Sequence, residues 1–194
     1  MFQLVLGLVL FMATHLLTAF GRGPRARLIE RLGENGYKGL YSVIGLVGFV
    51  LIVRGWKAVG AGDPLYSTGD WALPAAYGLM VTSFILFTAA YTPAGRIKSA
   101  VGHPMVLGLI LFSAGHLLVN SDPRSVIVFG SFLAYGLLDR VAVSMRGERG
   151  TQGTSVAGDA AAIGAGLVSA FIVVHFLHPY IAGVALEPGQ VFGN

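Results

Sequence analysis

Five histidines are the residues of this chain with the most chemistry to offer. His15, His116, His175 and His178 fall inside long apolar runs, and His103 stands at the mouth of another, just before Pro104. Ionisable side chains within apolar runs of membrane length are rare and mark functional sites. No Asp, Glu or Lys lies deep in any of these runs. A proton or cation path is expected to carry buried carboxylates, whereas neutral imidazoles in apolar surroundings suit a transition metal or haem iron. The chain has no cysteine. That excludes disulfides, thiolate metal sites, iron–sulfur clusters, a cysteine nucleophile and covalent c-type haem attachment.

Each histidine also has a plain alternative. His103 reads equally as an interfacial residue ahead of Pro104. His178 precedes Pro179, whose missing N–H leaves the carbonyl of His175 without its helical donor, so this pair reads as a kink. His15 and His116 sit well inside their runs and are harder to dismiss, although either could be a core histidine with a hydrogen-bond partner. At a rise of 1.5 Å per residue, His15 lies ~9 Å from the arginine-bearing end of its helix and His116 ~20 Å from the corresponding end of its own. Side chains lean toward a helix N-terminus, which brings these two toward a common depth. On depth alone His116 and His175 match better. Gly108 and Gly115, seven residues apart on nearly one helical face, would let a flat macrocycle or another helix lie against the His116 helix.

The elements that must position these residues follow from composition. The chain is 55% hydrophobic and 11% charged, with a mean hydropathy of +0.73. A soluble domain carries about 25% charged residues, so this composition rules out a cytoplasmic enzyme, a nucleic-acid module and a disordered chain. Six apolar stretches, about 2–20, 39–57, 73–92, 103–119, 124–143 and 160–183, approach the ~20 residues that cross a bilayer as a helix. The expected fold is an all-α polytopic bundle of about six transmembrane helices. Arg22, Arg25, Arg27, Arg31, Lys38, Arg96, Lys98, Arg140, Arg146 and Arg149 fall on the first, third and fifth connections. Only Arg54, Lys57 and Arg124 fall on the other side, so the positive-inside rule puts both termini on the non-cytoplasmic side. The first stretch reads as an anchor rather than a leader, because no basic residue precedes it and arginines follow it.

Local signals mark the boundaries. Asp122-Pro123 reads as an N-cap with proline at the first helical position, and His103-Pro104 is similar. Gly33, Gly36 and Gly39 read as breaks in the first connection, and 60–64 as a turn. The polar, glycine-rich 146–158 reads as a mobile loop. Gly158, Ala162, Gly166 and Ala170 recur every four residues, a stripe suited to close helix packing in lipid.

The run His15-Leu16-Leu17, then Leu28-Ile29-Glu30-Arg31-Leu32-Gly33-Glu34 and Tyr37-Lys38-Gly39-Leu40-Tyr41, resembles the opening of the NnrU family. So does Gly102-His103-Pro104-Met105-Val106 followed by Ser113-Ala114-Gly115-His116-Leu117. The resemblance runs from about residue 1 to 183 and implies a single transmembrane domain over the chain. This family accompanies bacterial nitrogen-oxide metabolism and includes the 15-cis-zeta-carotene isomerases. What it implies is a multi-pass protein of the bacterial inner membrane that binds haem b, with His15 and His116 at the positions of the axial ligands. His175 and His103 are the alternative ligands, and Phe112 and Ser113 flank the cofactor. The isomerase branch has a cysteine one turn before its second ligand; here Ser113 stands there, so thiolate exchange does not carry over. Two functions follow as expectations: a haem protein of denitrification, redox sensing or electron transfer, or a haem-dependent cis–trans isomerase of a polyene. The partners implied are membrane lipid, a lipid-soluble polyene or quinol, and nitric oxide, with no nucleic acid.

Overall fold

The computed structural model describes residues 1–183 and is all-helical, with no strand among the described residues. The chain divides into two compact units, Met1–Gly60 and Ala61–Asn194.

In the first unit, helices α1 (Phe2–Phe20) and α2 (Arg22–Ala58) form an antiparallel pair turning at Gly21. They approach closely because glycine stands at the crossing. A Cβ at Gly55 would lie 2.3 Å from the Leu4 nitrogen, and one at Gly48 would lie 2.8 Å from the Phe11 nitrogen. In lipid, where apolar surface gains little by leaving solvent, such van der Waals contact is what joins helices. The first connection is not the glycine-broken loop the composition suggests. Residues 22–38 are helical, with one break at Gly33, whose φ of 72° suits glycine alone. Arginine, leucine, glutamate and lysine favour helix strongly enough there to absorb Gly36 and Gly39 at about 1 kcal/mol each.

In the second unit α3 (Ala72–Ala89) packs against α5 (Pro104–Val119) and α7 (Val156–Ile172), and α5 packs against α6 (Pro123–Met145). A buried and a half-buried hydroxyl tie the layers. Ser83 Oγ donates to the Gly108 carbonyl at 2.9 Å, and Thr88 Oγ1 donates to the Ala162 carbonyl at 2.6 Å. Gly158, Ala162 and Gly166 are buried, as their spacing implies, while Ala170 is half-buried. Both proline starts form as expected: Asp122 accepts from the Ser125 amide at 3.2 Å, and His103 caps α5 ahead of Pro104. The short α4 (Arg96–Val101) is capped from outside by Asp159 of α7, whose carboxylate accepts from Arg96 N at 2.9 Å and Ile97 N at 3.0 Å.

The segment after α6 is tied down rather than left as a free linker. Ser99 Oγ exchanges hydrogen bonds of 2.7 Å with the backbone of Gly153, and Ser155 N donates to the Ala94 carbonyl at 3.1 Å.

Among the described residues five helices are long and apolar enough to cross a membrane, including α1, α2, α3 and α6. The fourth expected span, α5, has 16 residues and reaches ~24 Å, short of the usual crossing length. The last span carries a π-helical turn, Val173–Leu177, ahead of α8 (His178–Ala182). Here the His178 amide bonds the Val173 carbonyl, so the expected kink before Pro179 takes the form of one widened turn.

Candidate functional site

Three of the five histidines share one local design. Phe11 and His15, Phe112 and His116, and Phe171 and His175 each stand four apart on a helical turn, with ring centroids 4.3, 4.3 and 4.2 Å apart. Nδ1 of each histidine bonds the carbonyl of its phenylalanine, at 2.7 Å for His15 and 3.0 Å for His116 and for His175. A carbonyl only accepts, so Nδ1 carries the proton and Nε2 bears the lone pair. Metal-ligating histidines use this arrangement, in which a backbone carbonyl on one nitrogen fixes the tautomer and ring orientation for the other.

His15 projects from α1 beside Tyr41 of α2, their rings 5.5 Å apart. Thr14 Oγ1 approaches its Nδ1 at 3.2 Å while donating to the Phe11 carbonyl at 2.7 Å. His116 sits between two aromatic faces: Phe112 on its own helix, and Phe129 of α6 stacked at 4.1 Å with an 18° interplanar angle. Phe87 of α3 extends this cluster, 6.2 Å from Phe112. The imidazole is thus held in an apolar, aromatic setting. Sequence reasoning missed Phe129 and Tyr41, which only the fold brings close. The repeated phenylalanine four residues before a histidine was legible in the chain.

The remaining candidates separate by geometry. Ser113 has no exposed surface, and its hydroxyl donates to the Leu109 carbonyl at 2.7 Å. His103 uses Nε2 rather than Nδ1, meeting the Glu148 carbonyl at 3.0 Å and so fastening the 146–155 segment. His175 is exposed on the π-helical turn. His178 lies within electrostatic range of His116.

The face formed by Gly108 and Gly115 is taken by a helix rather than left for a macrocycle. A Cβ at Gly108 would meet Phe87 Cδ1 at 2.8 Å, and one at Gly115 would meet Met80 Cε at 2.7 Å, both on α3. Among the described residues no group of three His, Asp or Glu side chains could hold a bare metal ion. A haem asks less of the chain, since its macrocycle supplies four of the iron's ligands and only axial side chains are needed.

No curated protein and no solved structure matches the chain. A family profile described as NnrU protein matches residues 3–186, nearly the whole length. With its long apolar helices, the chain belongs to the NnrU family of membrane proteins.

Proposed function

We propose that this protein is a b-type haem protein of the bacterial inner membrane, with His15 and His116 as the iron's axial ligands. Its role is redox sensing or electron transfer in nitrogen-oxide metabolism, with quinol or nitric oxide as the small partner. The observation that supports this most is the shared design of these histidines, in which the backbone fixes Nδ1–H and directs the basic nitrogen outward. Their surroundings fit the group, since aromatic rings flank each imidazole. When bound, haem supplies a one-electron iron centre whose potential follows from its axial ligands and the polarity around it. The chain orients the imidazoles through the Phe11 and Phe112 carbonyls, and Phe112 and Phe129 flank the His116 ring. Ser113, with its hydroxyl committed to Leu109, offers no exchangeable soft ligand, which weighs against the thiolate chemistry of the isomerase branch.

The test is spectroscopic. Full-length protein purified from haem-supplied cells is expected to show a Soret band and a low-spin reduced spectrum. Insensitivity of that spectrum to carbon monoxide and nitric oxide assigns electron transfer, and a shift assigns gas sensing. Conversion of poly-cis carotenes by reconstituted protein, under reducing or oxidising conditions, would overturn this reading in favour of an isomerase.

A further inference from the structure

We propose that the cleft where α2 breaks at Gly33 binds the phosphodiester headgroup of an anionic membrane phospholipid. The cleft lies within residues 1–60 and measures about 190 Å³, far above the ~10–15 Å³ that admits one water. It is lined by Thr18 at the end of α1, by Arg25 before the break, and by Tyr37, Lys38, Tyr41 and Ser42 after it. Four hydroxyl-bearing side chains and the Arg25 guanidinium therefore share one space, with Lys38 at its rim, and no carboxylate lines it.

Arg25 supplies the second observation. Its guanidinium lies over the Tyr37 ring, 5.4 Å from the centroid, and its Nε is shielded from solvent with no hydrogen-bond partner. A shielded, unsatisfied donor on a cation is costly, and native structures supply such groups with an acceptor or an ion. The nearby carboxylate, Glu34, is already held by Lys38 at 2.8 Å on the exposed side of the helix. The occupant that complements Arg25 must bring its own oxyanion, and a guanidinium fork suits a phosphate well.

The flank of the cleft points to a lipid. Beyond Ser42 on the same face of α2, four and seven residues on, Leu46 and Phe49 are 64 and 42% exposed, an apolar strip on a membrane helix that continues from the polar cleft. Headgroup in the cleft and acyl chains along the strip is the geometry of an amphiphile. Tyrosines at such a level and basic residues beside it are the usual furniture of a lipid interface. The inference is independent of haem.

Binding of phosphatidylglycerol, phosphatidylcholine and inorganic phosphate to the full-length protein in detergent is followed by native mass spectrometry. Phosphatidylglycerol is expected to bind saturably, about tenfold more weakly in Arg25→Gln and about threefold more weakly in Lys38→Gln. Arg27→Gln, an exposed cation outside the cleft, is expected to change nothing. Phosphatidylcholine, whose own cation opposes Arg25, is expected to bind more weakly, and inorganic phosphate not to compete. Equal losses in Arg25→Gln and Arg27→Gln, or none in either, overturn the site. Arg25-dependent displacement by inorganic phosphate overturns the lipid assignment and makes the occupant free phosphate. Arg25→Lys, which keeps the charge but loses the fork, and Lys38→Gln carry the same test should Arg25→Gln fail to fold.

Discussion

Two glycines of α7, two residues apart, are expected to answer the same substitution with opposite signs. A Cβ at Gly166 would lie 2.7 Å from Ile85 Cα and 2.9 Å from Ile85 N, atoms of the α3 backbone that cannot rotate away. At Gly164 a Cβ meets nothing within 4 Å. Alanine in place of glycine favours a helix by about 0.5–1 kcal/mol wherever space allows, so Gly164→Ala should be stabilised by that amount. At Gly166 the same gain is opposed by overpacking of about 1–3 kcal/mol. Pushing α7 from α3 also stretches the 2.6 Å bond from Thr88 to the Ala162 carbonyl, one turn away, worth roughly 0.6 kcal/mol within a membrane. Gly166→Ala should therefore fall below Gly164→Ala by about 2–4 kcal/mol. Reversible unfolding of the full-length protein, by denaturing detergent titrated into mild detergent, reads this difference. Equal stability of the two variants, or a more stable Gly166→Ala, would refute the close α3–α7 packing.

Asp159→Ala strips two backbone donors at the start of α4 of their acceptor and should cost about 1–2 kcal/mol in the same assay, with Asp159→Asn costing about half. Outside the spans, Tyr66 donates to the Leu117 carbonyl, and burial, with the Asp122 charge adding to it, raises its phenol above the usual value near 10. The folded state favours the neutral phenol, so this contribution is complete below the ordinary value and is lost as pH rises through the raised one. A phenolate absorbance titration of wild type minus Tyr66→Phe should show a single late-titrating tyrosine; a difference curve at or below the ordinary value contradicts the contact. The chain has no native cysteine, so single-cysteine labelling is clean. Gln152→Cys should react from the cytoplasmic side and Asp63→Cys from the opposite one, and the reverse pattern would overturn the orientation drawn from Lys and Arg placement.

What could be read in advance was local. Asp122-Pro123 and His103-Pro104 start helices because a cap acts within one turn, and the chain alone states that chemistry. The break at Gly33 was harder to single out, because Gly36 and Gly39 look equivalent in sequence and differ only in the backbone conformation the packed chain demands. The face of Gly108 and Gly115 was ambiguous for a similar reason: small residues admit a helix or a flat ligand equally, and only the position of α3 decides. The 146–155 segment reads as loose by composition, yet it is fastened by Ser99, Ala94 and His103, partners remote in sequence. At the histidines, both the residue type and its phenylalanine four positions earlier were present in the chain. The setting of His116 against Phe129 was not, since it depends on how α5 meets α6.

The central claim is tested most directly by the absorption spectrum of purified wild type beside His15→Ala and His116→Ala, with His175→Ala and His178→Ala as controls. The account predicts a Soret band in the wild type, lost or converted to a high-spin form in His15→Ala and His116→Ala and retained in both controls. A wild type without a Soret band despite haem supply, or a band that survives either central substitution unchanged, would contradict it.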